Sequence, residues 1–432
     1  MDTPSLANPP VPETLRDYLR SMGPGFLAVL TWLGAGDIVA AGVAGGNYGY
    51  ALMWAMAAAL MVRYPFVSLI ARYQLCNPRG EGVLDGLCRL HRFYGPFLFL
   101  AVLIWGHLST AYMLAGIAET SHNITGFGTK FIWEIVWVSV SVSLIFRPSY
   151  ALAEAMFKVL VALLAASLLG CALWVGVEPV ALVKGVFAFE LPPQHGPFGA
   201  MLVAIGMVGA VGGSLVNLVY PYFIDQKGWR GPRYLKVQRF DFLLAVVVMI
   251  IFNLAVWTLG AELVHGTDRT ISSIDDLAFL LQKVLGPSGR LLFLAGVLAA
   301  IFTSIVGAGM GLSCLGTHAW LRWRRGNEVK LSTDFPAQPA YRVIVLWILV
   351  SPLIWFGRAE FVSLTLIANS FTVVLIPALA GGLWCITASS KHIGAAHRNR
   401  WWENVLMALL LVLAFYGAYE AVLSILRRIN LA

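Results

Sequence analysis

One carboxylate interrupts a long apolar run. Residues Gly23 to Tyr50 read GPGFLAVLTWLGAGDIVAAGVAGGNYGY, and Asp37 follows directly on Gly34-Ala35-Gly36. An acid in such surroundings is costly unless a cation, a proton or a buried partner meets it. Glycines around it permit unusual dihedrals and close approach of a ligand to the backbone. Asp37 therefore reads either as a binding or proton-coupling group, or as half of a salt bridge to Arg63 or Arg72 in the next apolar stretch.

A second stretch, AIGMVGAVGGSLVNLVYPYF, repeats the combination of glycine and polar groups. It breaks at Gly209 and Gly212-Gly213-Ser214, with Asn217 and Pro221 following. Ser214 could touch a substrate or pack a helix. Asn217 and, further along, Asn369 could each supply a carbonyl ligand or join two helices. Thr303 and Ser304 read as packing residues. His107 is either a proton shuttle or a buried histidine satisfied by hydrogen bonds. Glu154 and Lys158 stand one helical turn apart and read as a structural pair. Asp225 is expected to balance the basic loop after it.

Other chemistries lack their residues. No GxxxxGK[ST] phosphate loop is present. The eight histidines form no HxxxH or HExxH pair, and the five cysteines form no CxxC pair, so neither a zinc site nor a disulfide framework is indicated. An enzyme is not expected, and neither is a bound cofactor.

These groups must be positioned by helices that live in lipid. The 432 residues are 59% hydrophobic and 12% charged, with a mean hydropathy of +0.77. A soluble domain has about twice that charged fraction. The expectation is an all-α polytopic membrane protein, surrounded by lipid. Its net charge of +8 sits in short loops and does not point to nucleic acid. A span needs about 20 mainly apolar residues. Eleven candidates lie near 24–45, 48–74, 96–121, 130–146, 151–177, 198–224, 239–264, 286–318, 339–356, 361–387 and 402–425, the first two separated by a Gly45-Gly46-Asn47 turn. Fifteen Trp and fourteen Tyr suit the interfacial belts.

Lys and Arg concentrate in the loops of one side, as at Arg79, Arg89 and Arg92, and again at Arg322, Arg324 and Arg325. The other side carries few, such as Lys130, Lys184 and Arg269. This bias predicts a cytoplasmic N-terminus, in a bacterial inner membrane. Segments 1 and 6 both open with Gly-Pro and both carry a glycine break. Five spans apart, they run in opposite directions, the sign of two inverted five-helix repeats with broken first helices. The expected divisions are a cytoplasmic tail at 1–22, a first repeat at 23–177, an extracytoplasmic loop at 178–197, a second repeat at 198–387, and a cytoplasmic loop with the eleventh helix at 388–432. Nothing in the sequence sets an oligomeric state.

With these residues in view, the chain resembles the Nramp family of divalent-metal transporters. The match rests on Gly23–Phe26 (GPGF), on Asn47-Tyr48-Gly49-Tyr50-Ala51-Leu52-Met53-Trp54, and on the glycine-rich sixth segment. The resemblance implies a leucine-transporter-type fold and secondary transport, commonly of cations coupled to protons. The ligand positions depart from the family pattern. Gly34 stands where the family's DPGN motif has its metal-binding Asp, and Asp37 stands at the motif's Asn. Gly213 and Leu215 replace the Met and His of MPHN, and Thr110 and Met113 replace two proton-handling acids. A thioether favours softer metals, so its loss should weaken that preference and admit harder, hydrated ions such as magnesium. The resulting expectation is a secondary transporter of a divalent cation with altered selectivity and proton coupling. Asp37 and Asn217 would be metal ligands, with Gly34, Gly213, Ser214 and Asn369 lining the substrate site. The alternatives are transport of an amino acid or amine in the same cavity, and a scaffold or sensor without transport.

Overall fold

A computed structural model of the chain describes residues 9–21, 23–24, 35–146, 151–212, 215–326, 329, 334–356 and 360–431, with side chains at all of these except 35, 151–158, 211 and 424–431. Helices are α1 (Leu15–Ser21), α2 (Ala35–Tyr48), α3 (Met53–Cys76), α4 (Val83–Leu90), α5 (Tyr94–Thr125), α6 (Lys130–Phe146), α7 (Ala151–Val175), α8 (Pro179–Phe187), α9 (Ala200–Val211), α10 (Tyr220–Gln226), α11 (Leu235–Leu263), α12 (Ile274–Leu285), α13 (Pro287–Arg325), α14 (Pro339–Val350), α15 (Phe361–Ala388) and α16 (Trp401–Leu431). Where described, each of the eleven apolar stretches is largely helical. Among the described residues, seven helices are long and apolar enough to cross a membrane alone, or eight if the bent pair α7 and α8 counts as one. Over the described residues the others are shorter: α2 is described over 14 residues, α6 over 17, and α14 has 12 before a 3-10 turn at Ser351–Trp355.

Helix boundaries follow local chemistry. The chain turns through 109° between α7 and α8, at a junction where Pro179 opens the second helix. Ser273 caps α12 and accepts from the Asp276 amide. Gly286 and Gly326, both with positive φ, bracket α13, and Arg322, Arg324 and Arg325 face the negative end of its dipole.

The expected turn at Gly45-Gly46-Asn47 is corrected: these residues lie inside α2, and the turn falls at Gly49–Leu52, with Gly49 at φ 58°. Gly45 and Gly46 serve packing instead. A Cβ on Gly45 would strike the Trp257 carbonyl of α11, and one on Gly46 would strike Ile271. Asn47 clasps the backbone of Ile271 from both sides, donating to its carbonyl at 3.1 Å and accepting from its amide at 2.7 Å. Thus α2 is pressed against α11, and it also touches α9, α13 and α15.

The break in segment 6 is visible. Helix α9 stops at Val211, the Gly212 amide bonds back to Val208 at 2.8 Å, and a 3-10 turn at Leu215–Val219 leads into α10. Glycines also let α9 reach α15. A Cβ on Gly209 would overlap the Asn369 carbonyl, and one on Gly206 would lie 3.3 Å from Leu366. Helices α2, α9 and α15 are thereby locked around one region at mid-bundle.

Candidate functional site

Asp37 lies near the start of the described part of α2. It is 1% exposed, and neither carboxylate oxygen has a hydrogen-bond partner among the described residues. One residue earlier, Gly36 marks a polar meeting point. A Cβ there would stand 3.2 Å from Nδ2 and 3.5 Å from Oδ1 of Asn369, and 3.5 Å from the Tyr112 hydroxyl. The site therefore draws one group each from α2, α5 and α15. Asn369 Nδ2 is also buried without a hydrogen-bond partner among the described residues.

Arg63 on α3 is buried to the same degree as Asp37, and the two charges act on one another. Asp37 nevertheless forms no ion pair among the described residues, and an Arg63 Nη lies 3.2 Å from the Met249 sulfur. The other candidate partner is engaged elsewhere: Arg72 pairs with Glu403 of α16 at 3.0 Å and bonds Asn399 at 3.0 Å.

Asn217 sits in the 3-10 turn of the segment 6 break, fully buried. Its amide spans the break to the Gly212 carbonyl at 3.4 Å, while its Oδ1 has no hydrogen-bond partner among the described residues. This turn packs against α5, α13 and α15, the last of which carries Asn369. Gly34, Gly213 and Ser214 lie outside the described residues, as do the side chains of Glu154 and Lys158.

The secondary candidates resolve as structural groups. The indole of Trp355 donates to His107 Nε2 at 2.6 Å, which leaves the proton on Nδ1 to be donated to Ser351, also at 2.6 Å. Ser351 in turn donates to the Trp347 carbonyl. His107 is thus fixed as a satisfied neutral ring. Thr303 bonds its own helix at Ala300, Ser304 is buried in α13, and Asp225 pairs with Arg230 at 3.1 Å. Thr110 and Met113 are both buried in α5.

Two features had no counterpart in the sequence reading. Tyr112 carries a hydroxyl into the middle of a span, and only its distance from the interfacial belts hinted at a role. The other is a network at the end of the bundle near the N-terminal tail. There Asp85 of α4 pairs with Arg322 at 2.7 Å and with His318 at 3.2 Å, both on α13, and His318 Nδ1 meets the Tyr222 hydroxyl of α10 at 3.0 Å. A cavity of about 920 Å³ opens at this end, lined in part by Asn77, Glu81, Asp85, Arg230 and Arg322. Among the described residues no group of three His, Cys, Asp or Glu could hold a metal ion. Among the described residues, mid-bundle chemistry thus rests on the Asp37 carboxylate, with the Arg63 charge acting on it, and on neutral carboxamides and a phenol.

Broken and tightly crossed apolar helices around a buried polar centre define an integral, multi-pass membrane transporter rather than an enzyme. The model of the family described as natural resistance-associated macrophage protein-like (Nramp) matches residues 25–423, and the chain belongs to that family. A divalent metal cation transporter, MntH, of Verminephrobacter eiseniae is 24% identical over 415 residues, covering 91% of this chain and 87% of the relative. Among solved structures, a manganese transporter of Eremococcus coleocola superposes with a TM-score of 0.74 at 15% identity, over 94% of this chain and 87% of that one. Mhp1, a nucleobase-cation-symport-1 family transporter, superposes with a TM-score of 0.50 at 14% identity, covering 98% and 96%. The fold is of the leucine-transporter type.

Proposed function

We propose that this chain carries a divalent metal cation across the membrane, with Asp37 as its one charged ligand. The observation behind the reading is a carboxylate at 1% exposure, with both oxygens unpartnered among the described residues, next in the chain to Gly36, which meets the Asn369 carboxamide and the Tyr112 hydroxyl. Asn217 offers a further free oxygen, and backbone carbonyls at Gly34 and Gly213 complete the proposed set. The relatives named as metal transporters support the class of cargo. The Asp37 carboxylate, the Asn217 carbonyl, the Tyr112 phenol and the two backbone carbonyls are oxygen donors, which favour a hard cation that keeps some water, magnesium above softer metals. Leu215, Thr110 and Met113 cannot exchange protons, so any coupling runs through Asp37 itself. In this reading the tail is cytoplasmic in a bacterial inner membrane, and 23–177 and 198–387 are the inverted repeats that rock about the site.

The test is uptake by proteoliposomes containing an internal pH probe. Magnesium, manganese and calcium are offered against a panel of amino acids and amines. Divalent uptake should appear, and Asp37→Ala should reduce it at least about tenfold, the effect of losing roughly 1.4 kcal/mol of binding. Uptake of an amine or amino acid without any metal, or an Asp37→Ala protein as active as the parent, would falsify the assignment.

A further inference from the structure

At the end of the bundle opposite the N-terminal tail, a cavity of about 370 Å³ lies between α5, α6, the Ser351–Trp355 turn and the start of α15. Glu119, Glu134 and Glu360 line it with a single counter-charge, Lys130. Glu134 is the telling group. It is 6% exposed, and among the described residues it has no hydrogen bond and no ion pair. It lies beyond the first turn of α6, so the helix N-terminus does not account for it. A carboxyl held this way, one turn into an apolar span, is met either by a proton or by a positive partner from outside the chain, and the cavity it lines has room for such a partner. Lys130 does not supply one, because its ammonium leans 3.7 Å from Glu119 and is half exposed.

We infer that this cavity binds a small organic cation, an ammonium or amidinium on an apolar body. Its shape separates this ligand from a metal ion. No three acidic, His or Cys side chains among the described residues stand close enough to hold a metal. The remaining walls are apolar and aromatic, including Trp355, Phe356 and Phe361. Trp355 already spends its only donor on His107, so its ring presents only an apolar or cation-attracting face. A charged head at Glu134 with its body against these rings satisfies both halves of the lining, and the volume falls within the range of small-molecule sites. The site is separate from Asp37, which lies on α2 and contributes nothing to this cavity.

Phenethylammonium titrated into the purified full-length protein, followed by tryptophan fluorescence and calorimetry, tests the assignment. Saturable binding is expected, with 2-phenylethanol, its neutral analogue, failing to bind. Glu134→Gln should weaken binding about tenfold or more, and Asp37→Asn should leave it unchanged. Lys130→Met removes the competing ammonium and should tighten binding, a gain that a misfolded protein cannot mimic. Equal binding by the neutral alcohol overturns the site, as does a Lys130→Met protein that binds no better. Loss of binding in Asp37→Asn would place the amine in the transport site instead. Displacement of the probe by magnesium or manganese through Glu134 would make the cavity a metal site.

Discussion

At the scale of residues, the site depends on how little room surrounds Asp37. Its acid was legible because a lone carboxylate in an apolar run has few innocent explanations. Asn217 and Asn369 were legible only as pairs of alternatives, since an isolated amide in a span looks the same whether it binds a ligand or a neighbour. Tyr112 was barely legible, because its hydroxyl meets Gly36 only once the helices are packed. Arg72 found a partner 331 positions away, a pairing that no local pattern encodes. Gly36 supplies the sharpest test. A methyl there would press to 3.2 Å on Asn369 Nδ2 while keeping ordinary contact with Tyr112. Because only a side-chain amide must give way, Gly36→Ala should fold normally. It should raise the KM for cation uptake about tenfold with a smaller change in the maximal rate, as expected when binding geometry is disturbed by roughly 1.4 kcal/mol. An unchanged KM would mean that Asn369 and Tyr112 do not meet the cargo.

At the scale of elements, the described parts of the apolar stretches are largely helical, because hydropathy and length report directly on the need to satisfy backbone groups in lipid. Glycine was the ambiguous letter. The pair Gly45-Gly46 suggested a turn, yet close packing on Trp257 and Ile271 holds both within α2. Spacing alone cannot separate a glycine that bends the chain from one that admits a neighbour. Helix α12, which the apolar-stretch reading passed over, opens with a capping box of Ser273 and Asp276. Burial pushes the Asp276 carboxyl upward, but hydrogen bonds from Ser273 and Ser272 outweigh it and hold the group below its ordinary value of 3.8. A lowered folded value means that the stabilisation is present above the unfolded value and is lost as pH falls through the folded one. Hydrogen exchange, corrected for its intrinsic pH dependence, should therefore show the first turn of α12 protected at pH 6 and loosening below about pH 4. Asp276→Asn should show no such step. Ser273→Ala should weaken the same turn by about 1 kcal/mol at neutral pH.

At the scale of the whole molecule, the Asp85 network lies at the end near the tail and the transport candidate lies at mid-bundle. A transporter that alternates access must open each end in turn, so contacts that tie one end shut set the balance between states. Asp85 ties α4 to α13 through Arg322 and His318, and Tyr222 extends the tie to α10. Cys88, three residues after Asp85 on the same short helix, reports on it. Burial pushes its thiol up to about 12, partly opposed by the nearby Arg322 charge, so little thiolate exists at neutral pH. Breaking the tie with Asp85→Asn removes the countercharge from a buried arginine, a change that typically destabilises by about 3–5 kcal/mol when the pair is fully enclosed. Part of that strain is relieved by opening α4 away from α13. Maleimide labelling at pH 7, resolved by peptide mass spectrometry, should then modify Cys88 faster in Asp85→Asn than in the parent, while Cys171, far from the network on α7, keeps its rate. Saturating divalent cation should slow Cys88 again if cargo at Asp37 draws this end closed. Equal labelling of Cys88 in both proteins would mean that the network only braces α4 and takes no part in the transport cycle.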